Sequence, residues 1–229
     1  MTVSESYTQV AAELADVCRS CGRDPREITL VAVSKTVGPD AVAEAIGAGA
    51  SDFGENRPDQ LMLKADAFPD ATWHFIGNIQ SRRIRDIVGR ATLIHSLFDS
   101  GHAIKIDREA QARDIVQDVL LEVNVSGEES KSGVAPDDAE SLLSTCCGLD
   151  HVRVRGLMTM APIGDMQVAR RTFEGLAQLR ERLAGGLDDD AAAAFTELSM
   201  GMTDDWREAV AAGATIVRIG RAIFAPAAV

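Results

Sequence analysis

Aromatic side chains are scarce in this sequence, with seven Phe, two Trp and one Tyr among 229 residues. Aliphatic packing must therefore build the core. Positive charge is short as well, with 23 Lys and Arg against 35 Asp and Glu for a net charge of −12. That balance argues against a nucleic-acid partner, because phosphate backbones demand clustered cations. No apolar run approaches the roughly 18 residues that cross a bilayer, so no membrane partner is expected. Met1 to Tyr7 holds neither a basic region nor an apolar stretch, so no secretory leader is expected.

Cysteine is nearly as sparse: Cys18, Cys21, Cys146 and Cys147. Cys18-x-x-Cys21 has the spacing of a metal or redox pair. Against that, Tyr7, Val10, Ala11, Leu14, Cys18 and Cys21 follow a 3.6-residue period, which predicts both sulfurs on the buried stripe of a first helix. Cys146-Cys147 is not a second such pair. The expectation is core thiols in a reducing cytoplasm, with no metal.

What the chain does contain is an alternation of short β-branched runs with amphipathic stretches. Ile28 to Lys35 is apolar at nearly every position, as in a parallel strand buried on both faces. Pro39 opens a helix to Ala48, Ser51 to Gly54 is a second strand, and a polar helix runs from Pro58 to Ala67. Trp73 to Gly77 is followed by a basic helix, Ser81 to Gly89. Thr92 to Ser96 precedes a helix from Gly101 to Arg113, and Val119 to Val125 precedes one opened by Pro136. Val152 to Met158 leads into a long helix, Asp165 to Leu183, then a loop of Gly, Asp and Ala from Gly185 to Ala194. Thr196 to Ser199, a helix from Asp204 to Ala212, Thr215 to Ile219 and a short helix from Arg221 complete the series. Eight strand–helix units predict a (β/α)8 barrel with an extra N-terminal helix, one domain over residues 1–229. A doubly wound open sheet is the alternative reading of the pattern.

Barrel active sites lie at the C-terminal strand ends. Lys35 closes the first strand, where desolvation would lower its pKa and free its amine to attack a carbonyl; a strand-end Lys reaching for water is the plainer reading. Ser199-Met200-Gly201 and Gly220-Arg221 end the last two strands, where barrels commonly bind phosphate on backbone N–H groups. Helix capping by Ser199 and Thr203 is the alternative. Arg218, inside the last strand, needs a partner, either a carboxylate such as Glu197 or a ring nitrogen that accepts a hydrogen bond. His74, His95, His102 and His151 show no metal-ligand spacing, and Arg82, Arg83 and Arg85 read as a solvated helix face.

An imine-forming lysine, a phosphate cradle and an arginine for a ring nitrogen suggest pyridoxal 5′-phosphate. The sequence resembles the pyridoxal phosphate homeostasis protein family, whose barrel is shared with the N-terminal domain of alanine racemase. The matching segments begin with Val31-Ala-Val-Ser-Lys-Thr36, Phe53-Gly-Glu-Asn56, Trp73-His-Phe-Ile-Gly77 and Val123-Asn-Val125. They continue through Glu129-Ser-Lys-Ser-Gly133, Arg155-Gly-Leu-Met158, Leu198-Ser-Met-Gly-Met202 and Val217-Arg-Ile-Gly220. The resemblance makes Lys35 the Schiff-base lysine, holding the cofactor as a covalent imine. It places Asn56 and His74 in the pocket and Met200 near the ring. It puts Ser199, Gly201, Gly220 and Arg221 on the phosphate, and Arg218 at the pyridine nitrogen. Lys131 is a second family lysine near the mouth. Departures fall on the rim, chiefly at Arg57-Pro58-Asp59-Gln60 and Arg82-Arg83.

The function so implied is intracellular buffering and delivery of the cofactor without robust turnover, with apo-enzymes as recipients and a monomeric state. The alternative is a weak amino-acid racemase; a Schiff-base aldolase that uses Lys35 without cofactor is a third reading. An arginine at the ring nitrogen keeps it neutral and weakens the electron sink. A racemase also needs a second acid/base. The barrel uses the chain to Val229 and the sole tyrosine, Tyr7, lies in the first helix, so no second base is expected.

Overall fold

The computed structural model describes residues 1–128 and 131–225. Eight parallel strands close into a barrel in sequence order, with β8 returning to β1. The strands are β1 (Thr29–Val33), β2 (Asp52–Glu55), β3 (Thr72–Phe75), β4 (Leu93–Leu97), β5 (Gln117–Glu122), β6 (Val152–Met158), β7 (Glu197–Ser199) and β8 (Ile216–Ile219). Helix α1 (Val3–Ser20) precedes the barrel. Following the strands are α2 (Pro39–Gly47), α3 (Pro58–Ala67), α4 (Ile84–Ile87), α5 (Ser100–Gln111), α6 (Ala139–Cys147), α7 (Met166–Ala184), α8 (Asp189–Ala194), α9 (Trp206–Ala211) and α10 (Arg221–Phe224).

Strand faces alternate, and the two faces meet different neighbours. Val31, Val33, Leu93, Leu120, Met158 and Ile216 form a small cluster in the lumen. Ala32, Phe53, Trp73, Ile94, Leu121 and Val217 face outward into the larger core shared with the helices. Helix α1 packs on α2, α9 and α10. Its start is held by a capping box, in which Glu5 N donates to Thr2 Oγ1 at 3.1 Å and Thr2 N donates to Glu5 Oε2 at 2.9 Å.

Four expectations change. The first strand ends at Val33 instead of Lys35, because the chain turns at Lys35 and Thr36. Cys18 is buried, but Cys21 is exposed, since α1 stops at Ser20 and the helical period stops with it. The Gly/Asp/Ala segment is not wholly a loop: Asp188 accepts from Ala191 N at 2.8 Å and caps a helix of four Ala whose first turn carries Asp189 and Asp190, favoured at that end by the helix dipole. The basic segment splits into a 3-10 turn at Ser81–Arg83 and the single turn of α4. Among the described residues, no helix is long and apolar enough to cross a membrane.

Candidate functional site at the barrel mouth

Register places the polar lumen. Val33 pairs with Gly54 and Gly54 with His74, so all three point inward. His95 stands two residues beyond inward-facing Leu93, Glu122 two beyond Leu120, and Arg218 two beyond Ile216, while Ser199 pairs with Ile216. Lys35 follows Val33 by two residues, on the turn after β1 at the C-terminal end of the barrel.

Arg218 is 4% exposed. It donates from Nη1 to Ser199 Oγ, and from Nη2 to the Thr159 carbonyl at 3.0 Å. Glu197, the carboxylate considered for it, accepts instead from Thr215 Oγ1 at 2.5 Å. Among the described residues no carboxylate lies in ion-pair contact with Arg218. Burial lowers its pKa to about 10, against the opposing fields of Asp205 and Glu122, so it remains a cation at neutral pH. Glu122 is buried too, which pushes its pKa up to about 7 although Arg218 pulls it down. No motif singled out Glu122; its position two residues after an inward Leu was the available signal.

The other expected residues divide. Lys35 is exposed, so the desolvation expected to activate it is absent. Behind it lies a fully buried ion pair: Lys64 Nζ sits 2.5 Å from Glu55 Oε1 and donates to the Ser34 carbonyl at 2.8 Å. Ser34 Oγ donates to the same carboxylate oxygen at 2.6 Å. Asn56 is exposed beyond β2. His74 does lie in the lumen, but both ring nitrogens are engaged, Nδ1 with His95 at 2.8 Å and Nε2 with Asp52 at 3.1 Å. Ser199 has its hydroxyl between Arg218 and His95 Nδ1, the latter at 2.8 Å. Met200 points outward into the helix-packed core, away from the lumen where a ring was expected.

At the last two strand ends the chain is drawn close. Gly201 has φ +90°, and a Cβ there would stand 2.6 Å from Ala209 Cβ and 2.9 Å from Trp206 Cα. Met202 N donates to Asp205 Oδ1 at 2.6 Å, and the Arg221 side chain bonds Asp204, tying the β7 loop to the start of α10. Gly220 caps α10, where first-turn amides lack intrahelical acceptors. Lys131 reaches Met160 O at 3.2 Å and Glu128 at 2.9 Å; its neighbours Glu129 and Ser130 lie outside the described residues. Arg82 and Arg85 are exposed, as a solvated face requires, whereas Arg83 is half-buried and donates from Nε to Asp86 Oδ2 at 2.5 Å. Two surface cavities, of about 260 and 400 Å³, lie between helices and include none of the strand-end residues.

A barrel with a buried arginine in its lumen and two clasped loops at its last strands defines a class. Residues 9–227 match the family model described as alanine racemase, N-terminal domain. The pyridoxal phosphate homeostasis protein of Aquifex aeolicus is 37% identical over 98% of this chain and 98% of its own. That of Pseudomonas aeruginosa is 39% identical over 97% of this chain and 95% of its own. The solved structure of PipY from Synechococcus elongatus with PLP bound superposes with a TM-score of 0.81 at 33% identity, covering 93% of this chain and 99% of that one. The chain therefore belongs to the alanine racemase N-terminal-domain family and, within it, to the pyridoxal phosphate homeostasis proteins.

Proposed function

We propose that this chain binds pyridoxal 5′-phosphate at the C-terminal mouth of the barrel and serves as an intracellular reservoir for it, without robust catalysis. One observation carries the reading: Arg218 is a buried cation with no ion-pair partner among the described residues. Such a group is costly unless a ligand or a network compensates it. The donor set fits the cofactor. Lys35 offers a primary amine at the mouth, Arg218 a hydrogen-bond donor for a ring nitrogen, and Gly201, Gly220 and Arg221 backbone N–H groups for a phosphate. Asn56 lies on the same rim. The cofactor would supply an electrophilic aldehyde carbon and a ring able to accept electrons.

The chain's own groups favour holding over turnover. An arginine leaves a pyridine nitrogen neutral, where a carboxylic acid would protonate it. Tyr7 packs in the helix layer, outside the lumen. Glu122, poised near neutrality beside Arg218, is the observation that favours slow amino-acid racemisation as a second reading. A cytoplasmic location, a monomeric state and delivery to apo-enzymes complete the proposal.

The test is incubation with pyridoxal 5′-phosphate, borohydride reduction and peptide mass spectrometry. A visible absorbance band and an adduct on Lys35 are expected, both lost in Lys35→Ala. No band in the wild type, or an adduct confined to another lysine, overturns the reading. Solvent deuterium entering the α-carbon of an added amino acid, and failing to enter with Glu122→Gln, would promote the racemase.

A further inference from the structure

A chain of hydrogen bonds crosses the lumen from the foot of β2 to Arg218. Asp52 Oδ1 lies 3.1 Å from His74 Nε2, His74 Nδ1 lies 2.8 Å from His95 Nε2, and His95 Nδ1 lies 2.8 Å from Ser199 Oγ. Ser199 Oγ accepts from Arg218, whose second Nη is fixed on the Thr159 carbonyl. Five strands and the end of β6 contribute one group each. Both histidines are at most 4% exposed, so water cannot readily replace these bonds.

The ends of the chain dictate its direction. A guanidinium only donates and an ionised carboxylate only accepts. Asp52 is kept ionised: burial pushes its carboxyl up, but hydrogen bonds from His74 and Ser51 outweigh that and lower it. His74 must then donate from Nε2, and a relay that carries one ring proton there leaves Nδ1 to accept. His95 must donate from Nε2 and accept at Nδ1. Ser199 gives its one proton to His95 and accepts from Arg218. Each bond is satisfied in one orientation only. The reverse orientation would need a second proton on His74, so that it could donate to Asp52 and to His95 at once.

We propose that Asp52, His74 and His95 are positioning residues that act through Ser199 to fix the Arg218 guanidinium in the lumen. This rests on the proposed function only in naming what Arg218 meets. The relay also brings a carboxylate to bear on the buried arginine at a distance, through oriented dipoles that end on Asp52.

The experiment uses the full chain, free of ligand, with ¹⁵N-labelled histidine. Ring-nitrogen spectra at neutral pH should show His74 and His95 both as the Nε2–H tautomer. In Asp52→Asn, whose amide can donate as well as accept, His95 should become a mixture of tautomers, and Asp52→Glu should restore the single form. A side chain that merely stabilises the fold would shift the melting temperature and leave the His95 tautomer alone. His95 as Nδ1–H in the wild type, or an unchanged His95 tautomer in a folded Asp52→Asn, overturns the relay. A second arm measures the Kd for pyridoxal 5′-phosphate, expected to weaken about tenfold in Asp52→Asn, the loss of one well-placed hydrogen bond. An unchanged Kd beside a changed tautomer also overturns the positioning role. A wild type that takes up no chromophore overturns the proposed function, and the tautomers then decide the relay alone.

Discussion

Lys64 and Glu55 show how far a single buried charge reaches. Both side chains are fully buried, and Lys64 Nζ also holds the carbonyl of Ser34, the residue before Lys35. Among the described residues Glu55 Oε2 has no hydrogen-bond partner, so the carboxylate already depends on Lys64 and the Ser34 hydroxyl. Lys64→Met would leave that carboxylate buried with its cation gone, which in such sites costs about 3–5 kcal/mol. The urea midpoint should fall accordingly, and the double variant Lys64→Met/Glu55→Gln should recover part of the loss, because the deleted groups are coupled. Additive losses would mean that the pair is not the source of the effect. Neither residue was legible as a site. Lys64 reads as one polar position among several on an amphipathic helix, and only the fold brings it under the first strand.

Among the elements, β6 shows what periodicity conveys and what it hides. The run Val152–Met158 was legible to the residue, as were the bounds of α3 at Pro58 and Ala67. Its face was not. Register against β5 passes from Val119↔Val154 to Leu120↔Gly156, so Arg155 is an extra residue. That bulge changes which parity faces inward, bringing Gly156 and Met158 to the lumen in place of Arg155 and Leu157. Gly156 then lies against β7 with φ +150°, and a Cβ there would stand 2.0 Å from Glu197 O. Gly156→Ala should therefore separate β6 from β7 at a cost of roughly 3 kcal/mol or more. Amide exchange would report it first at Thr159 N, which donates to Ser199 O at 3.1 Å. Intact protection there would show that the strands absorb the methyl group. The same logic explains the site: strand-end glycines, Lys35 and Arg218 announce themselves by type and order, whereas the Asp52–His74–His95 chain depends on barrel closure, which no local spacing encodes.

At the scale of the molecule, two buried groups in one lumen oppose each other over the acid range. Burial, then the nearby His74 and Arg218, drive the His95 pKa well below its ordinary value. In the unfolded chain a histidine titrates near ~6.5. Below that pH the unfolded state takes up a proton that the folded state refuses, so His95 removes stability on acidification, by about 1.4 kcal/mol per pH unit. Glu122 does the reverse. Its folded pKa of about 7 lies above the ~4.3 of an unfolded glutamate, so between those values the folded state holds the extra proton and gains stability as pH falls. Where both effects operate, below pH ~6.5, the two slopes oppose each other, and Glu122 offsets part of what His95 removes. Glu122→Gln removes one side of this balance. Its unfolding free energy, measured by urea titration at several pH values from neutral to mildly acidic, should fall about 1.4 kcal/mol per unit more steeply than that of the wild type. Parallel profiles for the two proteins would show that Glu122 titrates alike in both states and that the lumen does not raise its pKa. A steeper variant would tie the acid tolerance of the whole barrel to one carboxyl beside Arg218, the same neighbourhood in which the cofactor is expected to bind.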